Sequence, residues 1–541
     1  MANSQLLAVS TSSLLTVFAT LAALALWLAL LLPSKPTFVM PAWVPLEVGI
    51  SAAVLESNGL ASRLLRALRH RSGPLFGLTR RHAILFKAPS VERLLARADS
   101  HPLSMSMLLR AFGASLPPSL SGAAFFPFHK ELSVLLSRAL VNDAAATAAV
   151  KAIDVPEKVD SLLSFSTQAA AQHQWERAAE IKLLPLGNEA EVSLQDLLRD
   201  FGACLAIPTL FGHDLLARNP SLLMDLWTFD AQAFGLLAAG LPQWLPLPSL
   251  RQGIAARRRL QDAMAGFFGR LDQYEDGRPV DFGADMSDVS AVERERNRVF
   301  RRHGLSVQER GKMEISILWA QNANTQPLIF WFLVYVYAAP KVLHELRREV
   351  ESCLALSPES PRITAMDIDA LSHSCPLLKA CFLETLRLAN QPTSIRYLSH
   401  PLSVPEAGVD TALPPGTWIS APHVALQRDE SVFPHAHEFL PERFLQTQDT
   451  DCGSKTGQHG RRIAHYGRLK PWGTGTGICK GRTFAEREAL TVVACFITLW
   501  DLRPAEGEAQ LKVPAMVPGT GVARPREKLR VVLRRRCFST L

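Results

Sequence analysis

Residues 471–484 read PWGTGTGICKGRTF, and Cys479 stands there in a setting that none of the chain's other cysteines shares. Gly473, Gly475 and Gly477 precede it; glycines allow positive φ angles and let a flat group approach the backbone closely. Gly481 lets the following run, FAEREALTVVACFITLW, begin a helix next to the sulfur. A helix N-terminus stabilises a thiolate and offers it N–H donors. A single cysteine presented in this way is suited to be the axial ligand of a haem iron. The glycines alone would also suit a phosphate loop, but that needs a preceding apolar strand and, in its Walker form, Lys followed by Ser or Thr. The residues before Trp472 are instead the polar and basic RRIAHYGRLKP. Cys204, Cys353, Cys381 and Cys495 lie in apolar helical runs and read as buried, inert thiols.

Two further segments carry paired charge. Glu384 and Arg387, in ETLR, sit one helical turn apart and can pair. Arg443, in PERF, can complete a carboxylate–guanidinium triad; charges survive burial only when paired and hydrogen-bonded. These segments and the cysteine loop follow one another about 60 and 40 residues apart. Trp472, Gly475, Cys479 and Gly481 match the haem-binding loop of the cytochrome P450 family, ETLR resembles its E-x-x-R helix, and PERF resembles its P-E-R-F segment. With the N-terminus included, the resemblance covers essentially the whole chain. It implies a haem b whose iron is ligated by the Cys479 thiolate. It also marks two departures. The loop opens on Trp472 where the family usually has Phe, and Gly477 stands where a basic residue usually pairs with a haem propionate. By position Arg396 is the implied propionate partner, with Lys130 a weaker candidate.

The helix expected above the haem is MEISILWAQNANTQPLIFWFLVYVY, 313–337. Where the family usually carries an acid–alcohol pair, this chain has Asn324 and Thr325: the hydroxyl is present and the carboxylate is not. Pro327 cannot donate to the carbonyl of Ala323 and its ring clashes there, so the helical ladder is expected to open beside Asn324 and leave room for dioxygen and a water. The alternative is an incidental kink in a core helix. Trp319 and Ala320 are expected to face the substrate, with segments 101–128, 230–249, 392–396 and 515–522 lining the rest. The pattern resembles the group of sterol 7-alpha-hydroxylases and prostacyclin synthases, which implies a rigid apolar substrate such as a terpenoid, sterol-like molecule or polyketide, in secondary metabolism. The implied activity is a monooxygenase using O2 and electrons from NADPH through NADPH–cytochrome P450 reductase. Its docking face would be the basic cluster Arg461, Arg462, Arg468, Lys470, Lys480 and Arg482. Two alternatives stay open: a reductase-independent isomerase or dehydratase acting on a peroxide, and a non-catalytic haem lipid binder.

The elements that must position these residues are mostly helices. From about 50 to 400 apolar residues recur at spacings of three and four, no βαβ repeat appears, and short apolar runs between turn residues at 395–425 predict a small β element. The fold class expected is mainly α: one large α-dominated domain of the P450 type with small β-sheets, over 50–541, preceded by a transmembrane helix. Segment 276–304 mixes both charge signs and reads as an exposed connection; DAQAFGLLAAGLPQWLPLPS, 230–249, reads either as core or as a second membrane contact beside a substrate entrance.

Leu14–Leu32 is uncharged and long enough for a bilayer span. No Lys or Arg precedes it, unlike a cleaved signal peptide. Residues 1–33 therefore read as an anchor and 34–49, rich in proline, as a stiff linker. The basic residues that follow, Lys35 and Arg63 onward, put the body on the cytoplasmic side, as a single-pass protein of the endoplasmic reticulum. Of the 541 residues 48% are hydrophobic and 20% charged, which excludes a disordered chain. Eight cysteines without a CxxC pair exclude a disulfide scaffold, and a net charge of +8 is too mild to argue for nucleic acid.

Overall fold

The computed structural model describes residues 75–536 apart from 77–81, 86–87, 97–107, 122–123, 186, 239–240, 358–361, 407–408, 449–460, 506, 508–509, 518 and 520. The anchor read over 1–33, the linker 34–49 and residues 101–107 of the segment 101–128 lie outside the described residues.

Ten helices matter for the site: α1 (Phe125–Leu140), α2 (Leu194–Ala206), α3 (Leu222–Phe229), α4 (Pro248–Glu275), α5 (Ala291–Arg302), α6 (Val307–Asn322), α7 (Thr325–Ala338), α8 (Pro340–Glu351), α9 (Pro376–Ala389) and α10 (Arg482–Leu499). Local chemistry fixes several of their ends. Ser306 and Glu309 form a reciprocal capping box at the start of α6. Pro340 and Pro376 begin α8 and α9, where a missing N–H costs nothing. The Glu349 carboxylate of α8 accepts the Leu377 and Leu378 N–H groups, both at 2.8 Å, and so caps α9.

Seven strands complete the frame: β1 (Leu75–Phe76), β2 (His82–Ile84), β3 (Glu189–Ser193), β4 (Thr393–Tyr397), β5 (Trp418–Pro422), β6 (Trp500–Pro504) and β7 (Arg530–Arg535). One sheet has the order β1-β2-β5-β4, with β5 parallel to β2 and antiparallel to β4. The pairing Ile419↔Arg396 fixes the register of Arg396. The second runs β6-β7-β3 and ends on the short strand Lys182–Leu183. The small β element expected at 395–425 is present as β4, β5 and the hairpin Leu402–Glu406/Val409–Leu413.

The long central helix is broken. Ala323 N–H still reaches Trp319 O at 2.8 Å, and the ladder resumes with Leu328 N–H on Asn324 O at 3.1 Å. The interruption at Ala323–Asn324 falls four residues before Pro327, as the missing donor dictates. The break also separates two cores. Met313, Ile315 and Leu318 of α6 pack in one with α1, α3, α4 and α5. Leu328 to Tyr337 of α7 pack in the other with α9, α10 and the second sheet. Among the described residues no single helix is long and apolar enough to cross a membrane.

Two regions correct the sequence reading. Within 276–304, Ala291–Arg302 is an amphipathic helix rather than an exposed connection, with Glu293, Arg296, Asn297, Val299 and Phe300 buried. Its charges are paired inward: Arg296 donates to both oxygens of Glu314 at 2.9 and 2.7 Å. Segment 230–249 is core only in part. Ala233, Phe234 and Leu237 are core, whereas Trp244 is 78% exposed, close to exposed Leu247.

Candidate functional site

Cys479 is held by a short, closed loop. Trp472 O accepts the Cys479 N–H at 2.9 Å, and Gly475 O accepts the Ile478 N–H at 3.2 Å. Gly473 (φ 72°) and Gly475 (φ 63°) take the left-handed conformation that makes this turn possible. Gly481 caps α10 at φ −101°, which any residue adopts, and no other part of the protein comes within 4 Å of where its Cβ would stand. The open space beside the sulfur, not the local backbone, is what glycine preserves there. Arg482 donates to the Cys479 carbonyl at 3.0 Å.

The Cys479 side chain is exposed, yet it lies deep enough for desolvation to push its thiol above the ordinary range, against the lowering effects of the Gly481 N–H, Arg482 and Lys480. Burial pushes the Cys204 thiol up to about 12 and raises Cys381 and Cys495 as well, which fits the inert roles read for them.

The loop is braced by α9 and by the triad it carries. Glu384 Oε2 and Oε1 accept from Arg387 at 2.7 and 2.8 Å, and Oε1 also accepts from Arg443 Nε at 3.1 Å and Leu440 N–H at 2.9 Å. Arg387 spends its remaining donors on the carbonyls of Gln427, Ala436 and Glu438. The ion pair is thus fully buried and fully hydrogen-bonded, which burial of charge demands. One turn further along, Asn390 donates to Pro471 O at 3.0 Å.

Arg396 reaches the same loop from β4. It is buried and donates to Thr474 O at 3.0 Å and Thr474 Oγ1 at 2.8 Å. Its Nη1 lies 3.7 Å from where a Cβ on Gly477 would stand. The guanidinium therefore supplies positive charge beside the residue at which the loop has no basic side chain. Lys130 lies in α1, with no such link to the loop shown.

The broken helix carries the remaining residues read for the site. Ala320 is exposed, and Asn324, four residues on, is half-exposed; residues four apart share a helix face. Asn324 Oδ1 accepts the Val522 N–H at 3.3 Å and presses against Gly521, where a Cβ would approach it to 2.2 Å. Thr325 begins α7 and is buried. Trp319 forms wall rather than a free contact surface: it stacks on Phe234 at 4.0 Å, meets Phe112 edge-on, and donates from Nε1 to Asp230 at 2.8 Å. Asp230 also pairs with Arg524, although burial raises its carboxyl above the usual range.

Sequence reasoning missed three groups. Asp230 and Arg524 are one. Another lies behind Thr325: Gln326 Nε2 stands 3.5 Å from Glu488 Oε1 of α10, whose burial pushes its carboxyl up to about 8. Gly202 of α2 makes room, since a Cβ there would fall 1.7 Å from Gln326 Oε1. The third is a chain behind Trp472, through Tyr466, Glu486 and Lys379. No short motif marks any of them, because each joins residues distant in sequence.

Among the described residues no group of three or more His, Cys, Asp or Glu could hold a metal ion. A flat porphyrin brings its other iron ligands with it, and an accessible sulfur, open space at Gly481 and an arginine beside Gly477 fit its face and a propionate. Two surface clefts, one beside Arg218 and Arg259 and one beside Cys353 and Asp369, lack such a set.

The family model described as Cytochrome P450 matches residues 228–532. A cytochrome P450 monooxygenase of Gibberella zeae is 27% identical over 62% of this chain and 60% of its own length. The 5-beta-cholestane-3-alpha,7-alpha-diol 12-alpha-hydroxylase of Sus scrofa is 30% identical over 43% of this chain and 46% of its own. The matched chain thus spans about half to three fifths of the length of these relatives. Among solved structures, a retinoic acid-bound cyanobacterial CYP120A1 aligns with a TM-score of 0.57 at 18% identity, covering 84% of this chain and 89% of that one, which speaks to the fold.

Proposed function

The chain belongs to the cytochrome P450 family, and on that premise we propose that it is a haem-thiolate monooxygenase acting on a hydrophobic small molecule. The observation that carries the reading is Cys479: accessible, and fixed by the Trp472 carbonyl in a glycine loop that Arg396 also reaches. When bound there, a haem supplies the redox chemistry that activates O2, with thiolate ligation favouring O–O cleavage.

The chain's own residues divide the remaining work. Cys479 would bind the iron, and metal binding would draw off the thiol proton that desolvation retains. Arg396, with Thr474, would hold a propionate. Ala320, small and exposed, would leave room for a substrate. Asn324, its Oδ1 engaged by Val522, keeps its Nδ2 donors for a second partner, and Thr325 Oγ1 supplies an exchangeable proton at the break. Phe112, Phe234 and Trp319 form an apolar wall that excludes water and favours a rigid apolar substrate. The 12-alpha-hydroxylase among the relatives supports a sterol-like or terpenoid class, in secondary metabolism on this reading.

Electrons would come from NADPH through cytochrome P450 reductase. Of the basic cluster, Arg468 is paired with Glu92 and Arg482 is turned to the Cys479 carbonyl, so Arg462 and Lys470 are the exposed contacts this reading uses. The anchor at 1–33, linker at 34–49, catalytic domain over 50–541 and a cytoplasm-facing seat on the endoplasmic reticulum belong to the same proposal, with Trp244 as a second membrane contact.

One observation favours the peroxide isomerase as the second reading: no carboxylate stands at position 324, and the amide there is engaged with the pocket wall. Incubation with reductase, NADPH, O2 and a terpenoid panel tests the first reading by an oxygenated product. A hydroperoxide consumed without NADPH would favour the second.

A further inference from the structure

Trp472 opens the thiolate loop with an indole, and the structure uses the indole N–H. It donates to Tyr466 Oη at 3.1 Å. The Tyr466 hydroxyl donates in turn to Glu486 Oε2 at 2.6 Å. The other oxygen of Glu486 pairs with Lys379 Nζ at 2.7 Å. Every donor and acceptor has one direction available. Burial and the neighbouring Glu486 hold the phenol protonated, so it can only donate to the carboxylate and accept from the indole. The chain joins α9 (Lys379), α10 (Glu486) and the segment before the loop (Tyr466), and it ends on the residue whose carbonyl receives the Cys479 N–H. The Trp472 ring also rests against Phe382 of α9, centroids 6.3 Å apart.

A phenylalanine at 472 would keep that ring contact but leave Tyr466 without its donor. The chain therefore gives the indole a use that packing alone does not require. Lys379 and Glu486 are themselves mostly buried, so the terminal ion pair is sheltered from solvent.

We propose that Tyr466, Glu486 and Lys379 are positioning residues that orient Trp472 and, through its carbonyl, hold the Cys479 backbone where the sulfur can ligate iron. The inference rests on the reading of Cys479 as axial ligand. It assigns control of ligation to groups that touch neither cofactor nor substrate, as outer-shell partners of other metal sites do.

The test uses the full-length holoenzyme and compares wild type with Tyr466→Phe, Trp472→Phe and the double variant. Three quantities are read: the rate at which the thiolate-type reduced-CO band decays, the iron–sulfur stretch in resonance Raman, and Tm. Each single variant is expected to lose the thiolate band about tenfold faster, at the low end of outer-shell effects, and to shift the iron–sulfur stretch. The double variant is expected to be no worse than either single, since both break one chain. Glu486→Gln should fall between, and Lys379→Arg should behave as wild type. Decay rates and stretch unchanged in Tyr466→Phe and Trp472→Phe would overturn the inference, as would losses that follow Tm alone. Wild type without any thiolate band would instead overturn the reading of Cys479 itself.

Discussion

The two sides of the helix break are built differently. On the Cys479 side, the loop, α9 and α10 are joined by direct hydrogen bonds, and the ion pair Glu384–Arg387 is buried and saturated. On the Trp319 side, the wall is a set of aromatic contacts, a five-residue π-helical stretch at Asp230–Phe234 and one ion pair, Asp230–Arg524, before the chain emerges at Trp244. π-Helical insertions are rare and gather at functional sites. The difference teaches where each half of the chemistry can tolerate change. Iron ligation needs one fixed geometry, whereas a wall of aromatic contacts can repack at smaller cost.

Substitutions can break that comparison, and the largest effect belongs to the rigid side. Glu384→Ala strands the buried Arg387 and should cost about 3–5 kcal/mol, read as collapse of folded yield and thermal stability.

Glu488→Gln should act in the opposite direction and depend on pH. Because burial raises this carboxyl to about 8, the folded state keeps a proton that the unfolded chain releases from about pH 4.5 upward. Native stability therefore falls from about pH 4.5 to 8. The variant escapes this cost: it should match wild type at pH 4 and exceed it by on the order of 5 kcal/mol at pH 9, in thermal melts at both pH values.

The pocket side should respond less. Asp230→Asn keeps an acceptor for Trp319 but removes the charge facing Arg524. A loss of about 1–2 kcal/mol is expected, with a broader range of apolar molecules giving substrate-type spectral shifts. Trp244→Ala should change stability by less than about 0.5 kcal/mol while weakening binding to anionic vesicles in a flotation assay. A stability loss at Trp244 as large as that at Glu384 would erase the contrast between the two sides.

The same contrast explains what the sequence made legible. The cysteine loop, Glu384 with Arg387, and the Pro327 break are short-range patterns, dictated by residues within one or two turns. The α class and the late β element followed from periodicity. What stayed hidden joins distant positions: Asp230 to Arg524, Gln326 to Glu488, and Trp472 to Lys379. Segment 276–304 misled for a related reason. Its alternating charges look solvated, but Arg296 is buried against Glu314, 18 residues on, and only Val299 and Phe300 hint at an inward face.

One spectrum bears most directly on the account: the reduced-CO difference spectrum of the purified full-length protein and of Cys479→Ser. The account predicts a Soret band at the thiolate position in wild type and its loss in the variant. A wild type without pigment, or a variant that keeps the band, would contradict it.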